Sequence, residues 1–346
     1  MSKAQANKGS ESFTKKVRRF NQTIDDGVKA GLPANLSIFE KVRLFVDFMN
    51  EYLFHGVYLL DYIQYGFYWK KRRDRERYVV HGKLLKMMKI CNNPKHRYIF
   101  DQKPEFDKTF KDFLQRDFLI VAEATVEDFR RFISNKEHYF VKQPDGMFGT
   151  GVFKVYVKDI TDIPATFKEY QENKYLLEET LTQCKEMAEF NDTSINTLRI
   201  VTIRKADGNA EVVGGLVRVG RKGRIADNFH HMGIAAFLDP CGIVSATGID
   251  KDYDRHIVHP DSGKKLVGFQ VPIWNQVVDT VCRAAQVVPD VRYVGWDVVI
   301  TEDYKVALVE GNPGADPDAE QISSRQGRWP VYWKLLKDIE AKKKLC

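Results

Sequence analysis

No stretch of this 346-residue chain approaches the roughly 18 apolar residues of a membrane-spanning helix. CxxC spacing is missing too. Five cysteines, Cys91, Cys184, Cys241, Cys282 and Cys346, are scattered and odd in number, which argues against a disulfide frame or a zinc knuckle and for reduced thiols. The first residues are polar and carry no apolar core of a signal peptide, so a cytoplasmic location is expected. No GxGxxG lies between a strand and a helix, which disfavours a Rossmann dinucleotide site. No Ser-His-Asp or Cys-His arrangement is credible, so a protein nucleophile is not expected. Internal repeats are also lacking.

What is present is ordinary in bulk: 43% hydrophobic and 29% charged residues exclude wholesale disorder. The length allows two or three packed subdomains. A net charge of +7 is partly concentrated in KKRRDRER, residues 70–77. Interrupting acids make a solvated helix face the plain reading of that run, with peripheral membrane contact left open. No RNA- or DNA-reading motif accompanies it, so a nucleic-acid partner is not expected.

Periodicity divides the chain into a helical region, 1–95, a mixed segment, 96–180, and a strand-rich segment, 181–346. IFEKVRLFVDFMNEYLF and YLLDYIQYGFYWKKRRDRERYVV recur at helical spacing. YFVKQ and GVFKVYVK read as strands around a glycine-bearing loop. KYLLEE, TLRIVTIR, AEVVGGLVRVG, GIAAFLD, YVGWDVVIT and KVALVEGN follow, with WNQVVDTVCRAAQVV and VYWKLLKDIEAKKK as helices. The expected class is α+β with a mostly antiparallel C-terminal sheet.

Within VGWDVVITEDYKVALVEGNPG, residues 294–314, two apolar runs carry acids. A hairpin turning at Asp303-Tyr304 pairs 302 with 305 and sets Asp297 opposite Glu310, with Asn312 on the same face. Opposed side chains start about 5 Å apart, and oxygen ligands without His or Cys suit Mg²⁺. Acids at a strand end in solvent would look the same. YFVKQPDGMFGTGVFKV, residues 139–155, holds Gly146, Gly149 and Gly151 after Lys142. Such glycines let backbone N–H groups approach a phosphate, although most only turn a hairpin. KYLLEETLTQCKE supplies Glu178, Glu179 and Glu186, acids able to accept from an adenine amine and ribose hydroxyls, or simply loop acids.

The order is more telling than any part. A lysine in FDQKPEF, a lysine before a glycine loop, a strand ending in acids, then Asp…Glu-x-Asn resembles the ATP-grasp superfamily. LLEETLTQCKEMAEFNDTSINTLRIVTIR, VRVGRKGRIADNFHHMGIAAFLD and VRYVGWDVVITEDYKVALVEGNPGADPDAEQ are similar to its sugar-transfer-associated family. The resemblance implies an ATP-grasp fold, two α+β subdomains gripping ATP, beside a helical N-terminal region. It implies Lys103 and Lys142 on the phosphates, Gly146, Gly149 and Gly151 as a lid, Glu178 or Glu179 on adenine, the backbone near Leu181 on the ring edge, and Glu186 on ribose. Asp297, Glu310 and Asn312 would hold Mg²⁺, as two ions; Arg199, assisted by Asn196, would stabilise the transferred phosphoryl group, with Arg218 a further cleft candidate. Asn228, His230 and His231 sit where the chain departs from the family pattern. The implied chemistry is carboxylate–amine ligation through an acyl phosphate, with an acid and an amine as substrates, one of them a sugar or glycan precursor. The rival readings are a kinase acting on a hydroxyl and a nucleotide-binding scaffold.

Overall fold

The computed structural model describes residues 32, 35–143, 151–223 and 233–343. The N-terminal part is helical: α1 (Ile38–His55), α2 (Leu59–Gln64), α3 (Arg72–Arg75), α4 (His81–Cys91), α5 (Tyr98–Asp101) and α6 (Lys103–Thr109). α1 opens with a capping box between Ser37 and Glu40 and ends at Gly56, whose φ of 64° suits glycine. Helical spacing from Tyr58 to Val80 does not give one helix. α2 stops before Gly66, at φ 62°, and a 3₁₀ turn follows at Phe67–Trp69. The break folds Tyr62, Tyr65, Phe67 and Tyr78 onto one another, and Phe67 is fully enclosed. Aromatic burial outweighs the local helical preference here.

Two antiparallel sheets follow. The smaller has the order β1–β4–β2–β3, built from β1 (Phe118–Ile120), β2 (His138–Lys142), β3 (Val152–Tyr156) and β4 (Leu176–Glu179). α7 (Val126–Ile133) and α8 (Ile163–Glu172) cover one face of it, burying Phe129, Phe132 and Phe167 with Tyr139, Val141 and Leu177. Alternation in β2 accounts for this: Tyr139 and Val141 turn inward while Lys142 is left at the strand end. The short helix α9 (Lys185–Ala188) then leads into the larger sheet.

That sheet has the order β11–β10–β5–β6–β7–β8–β9. Its strands are β5 (Thr197–Arg204), β6 (Ala210–Val219), β7 (Ile234–Phe237), β8 (Gly248–Ile249), β9 (Arg255–His256), β10 (Tyr293–Ile300) and β11 (Val306–Asn312). One face packs on α6 and on α10 (Trp274–Ala284), through Phe106, Phe110, Val277 and Val281 against Leu198, Ile200, Trp296 and Val298. The other is covered by α4 and α12 (Trp329–Lys343), with Met87, Tyr332 and Leu336 against Val201, Ile203 and Tyr293. α11 (Asp318–Ser324) packs across β6, β7 and β8. The helical region and the large sheet therefore share a core.

Every residue of β10 is buried. Its even-numbered side chains enter the α6–α10 layer, while the odd-numbered ones begin under α4 and α12 at Tyr293 and reach the polar cleft at Asp297. The apolar run and its acid thus belong to one strand with two different faces. Among the described residues no helix is long and apolar enough to cross a membrane.

Candidate active site

Asp297 lies opposite Glu310, as the hairpin arithmetic expects, but by another route. Thr301 and Lys305 close the hairpin around three residues, with Tyr304 at φ 56°, so Val298 faces Leu308. A bulge at Val309 adds one residue and returns Asp297 to Glu310 and Gly295 to Asn312. A longer turn and a bulge cancel.

Arg199 is directly across β5 from Asp297. Its Nε and Nη2 both donate to the carboxylate, the second at 3.1 Å. From β6, Arg218 brings Nη2 to 2.8 Å from Asp297 Oδ2 and donates from Nε to Thr197 Oγ1 at 3.0 Å. Burial works against ionisation of Asp297, yet the two guanidiniums outweigh it and hold the carboxyl near 2. Glu310 is treated differently. Its side chain is 56% exposed, with Arg199 Nη2 only at 4.0 Å. Partial desolvation, followed by the charge of Asp297, pushes its carboxyl up to about 7. Asn312 Oδ1 accepts from the Gly314 N–H at 2.8 Å.

These residues fit a hard divalent cation. Two opposed carboxylates and an amide oxygen form an all-oxygen donor set, and a cation's charge would favour the ionised form of Glu310. Among the described residues, no group of three or more His, Cys, Asp and Glu side chains gathers to hold a metal. Full coordination therefore needs phosphate oxygens or water, as Mg²⁺ commonly does.

The second half of the site hangs on Glu178. Lys142 Nζ lies 2.6 Å from Glu178 Oε2, and Arg116 Nε donates to the same oxygen at 2.8 Å. Arg116 also donates from Nη1 to the Leu308 carbonyl at 2.6 Å and stands 3.4 Å from Asp107 Oδ1. Burial opposes the charge on Glu178, but Lys142 and Arg116 keep it ionised, near 2. Asp107, buried and repelled by Glu178, is pushed up to about 7. The expectation that Glu178 accepts from adenine thus meets a carboxylate already shared by two cations. Glu179, the alternative, points the other way and accepts from the Asp117 N–H at 3.0 Å.

Lys103 opens α6, with Nζ 3.5 Å from the Gln143 carbonyl oxygen, so both expected phosphate lysines meet at the end of β2. Gly151 has φ 73°, and a Cβ there would strike the Gln143 side chain, so glycine is required. Gly146 and Gly149 lie outside the described residues, as do Asn228, His230 and His231. Leu181 is half-buried on the segment crossing to the hairpin, where the Thr182 carbonyl accepts from the Glu302 N–H at 2.9 Å. Glu186, at the start of α9, accepts from the Tyr304 hydroxyl at 2.9 Å.

Asn196 is the residue expected to assist Arg199. It is buried, donates from Nδ2 to Gln183 Oε1, the Met187 carbonyl and the Asn191 carbonyl, and accepts from the Gly220 N–H. Both its amide nitrogen and its amide oxygen are engaged within the protein, at the approach to β5. Arg116 and Asp107 are buried charged neighbours of Glu178 that sequence reasoning missed; no motif or spacing marked them.

A family model described as sugar-transfer associated ATP-grasp matches residues 86–331. No curated protein matches the chain. Similar solved structures include the ATP-grasp ligase PsnB complexed with minimal precursor, at 16% identity over 74% of this chain and 68% of that one, TM-score 0.46. D-alanyl-alanine synthetase A from Vibrio cholerae is similar at 10% identity over 71% and 68%, TM-score 0.42. Neither likeness bears on what this chain acts upon.

Proposed function

The chain belongs to the sugar-transfer-associated ATP-grasp family, and from that premise we propose that it is an ATP-dependent ligase joining a carboxylate to an amine. The observation that carries the reading is the arrangement of Arg199 and Arg218 around Asp297, opposite a Glu310 that stays open to the cleft. Lys142 and Lys103 hold the nucleotide phosphates. Asp297, Glu310 and Asn312 hold Mg²⁺, which when bound neutralises charge on those phosphates. Arg199 and Arg218, fixed before the reaction, meet the charge that spreads over the transferred phosphoryl group.

A substrate carboxylate oxygen attacks the γ-phosphorus, the bond to the bridging oxygen breaks, and ADP departs, leaving an acyl phosphate. The amine then attacks the acyl carbon, phosphate leaves with the bonding pair, and an amide remains once the amine loses a proton. Positioning supplies most of the acceleration, so no side chain need become covalently bound. The family description is compatible with a sugar or glycan precursor as one substrate, and an amino acid is the partner proposed for it.

Hydroxylamine trapping tests the reaction class. With ATP, Mg²⁺ and a panel of acids, the protein should release ADP and yield a hydroxamate with its own acid. Phosphate transferred to a hydroxyl, with no hydroxamate, would establish a kinase instead. Amino acids and amino sugars tested in pairs would then identify the substrates.

A further inference from the structure

α1 is amphipathic with its charged side turned inward. Arg75 donates to Asp47 at 2.8 Å and to Glu51 at 3.0 Å, Arg72 donates to Glu51 at 2.9 Å, and Tyr62 donates to Asp47. Glu51 is wholly buried. The outward side is apolar: Ile38 is 83% exposed, Phe39 79% and Leu53 63%, with Val42, Phe45 and Val46 also in the open. At about 100° per residue, Ile38, Val42, Phe45 and Leu53 share one side. Lys41 and Arg43, both exposed, run along its two margins. A soluble helix ordinarily buries the apolar side and hydrates the charged one.

Charge narrows what can cover this surface. Asp47 and Glu51 are consumed inside, and Glu40 caps the helix with Ser37. What is left along the margins is the charge of Lys41 and Arg43. A second copy packed on the same side by a two-fold axis would bring these cations toward one another. An apolar stripe with basic margins matches a helix lying in the boundary of an anionic bilayer, where long basic side chains reach back to the headgroups. We propose that α1 docks the protein flat on an anionic phospholipid surface. The surface is separate from the cleft, so the inference stands or falls apart from the ligase reading.

Sedimentation of the full chain with phosphatidylcholine vesicles, made with and without phosphatidylglycerol, tests it. Binding should require phosphatidylglycerol, weaken with salt, and fall more than about tenfold in Phe45→Asp. Lys41→Glu with Arg43→Glu should weaken it by about fivefold per position or more. Because these side chains face solvent, the variants should keep the circular dichroism spectrum of the parent. Failure of the full chain to bind, whether from a second copy on the stripe or from other residues of the chain covering it, would overturn the proposal. So would binding that Phe45→Asp leaves unchanged. Light scattering in parallel would identify self-association that the substitution abolishes.

Discussion

Asp297 and Glu310 face each other across β10 and β11, yet one is held ionised and the other protonated to near neutrality. The difference lies in their partners. Two guanidiniums touch Asp297, whereas Glu310 has Arg199 only at the edge of reach. Below about pH 7 the pair carries mainly one negative charge.

Glu310→Gln keeps the size and the uncharged state of that side chain. Stability near neutral pH should stay within about 0.5 kcal/mol of the parent. ATP turnover should fall at least about a hundredfold, because the amide cannot serve as an anionic ligand. Urea denaturation and ADP release check the two halves, and a variant with normal turnover would remove Glu310 from the metal set.

Arg116→Ala should destabilise the protein by about 3–5 kcal/mol, the usual cost of stranding buried partners of an ion pair. It would leave Glu178 with Lys142 alone and remove the contact to Leu308. Chemical denaturation measures the loss. A change below about 1 kcal/mol would show that water replaces the guanidinium easily.

Glu320 is buried, its Oε2 lacks a hydrogen-bond partner, and Arg328 Nε stands 3.6 Å from it. Burial raises its carboxyl to about 7, against the pull of Arg328. The folded value lies above the unfolded one, so the associated stability is complete below the ordinary carboxylate range and is lost as pH rises through 7. Glu320→Gln should therefore gain on the parent between pH 5 and pH 8, by on the order of 1–3 kcal/mol. Thermal midpoints at both pH values test this; a difference that does not vary with pH would refute the assignment.

Period-two and helical patterns made most strands and the longer helices legible, because burial on one face imposes them directly. The same patterns made the N-terminal region legible as helical but not its break between Tyr58 and Val80, where contacts among distant aromatics decide the path. At the site, Lys142, Asp297 and Glu310 were legible because each ends or interrupts an apolar run. Arg116 was not. Its importance comes from joining residues 107, 178 and 308, which only the folded chain brings together. Asn196 shows the converse: a polar residue in a telling motif whose internal bonds the sequence did not reveal.

Arg116 also has a mechanical consequence. It fastens β4 of the small sheet to β11 of the large one, and the strand of Lys142 is tied to the same carboxylate. The Cys184 N–H donates to the Ile300 carbonyl, adding a second rivet. Separating the sheets as rigid plates would tear both joints. Any motion that keeps the Arg116 joint must therefore leave β4 seated on β11.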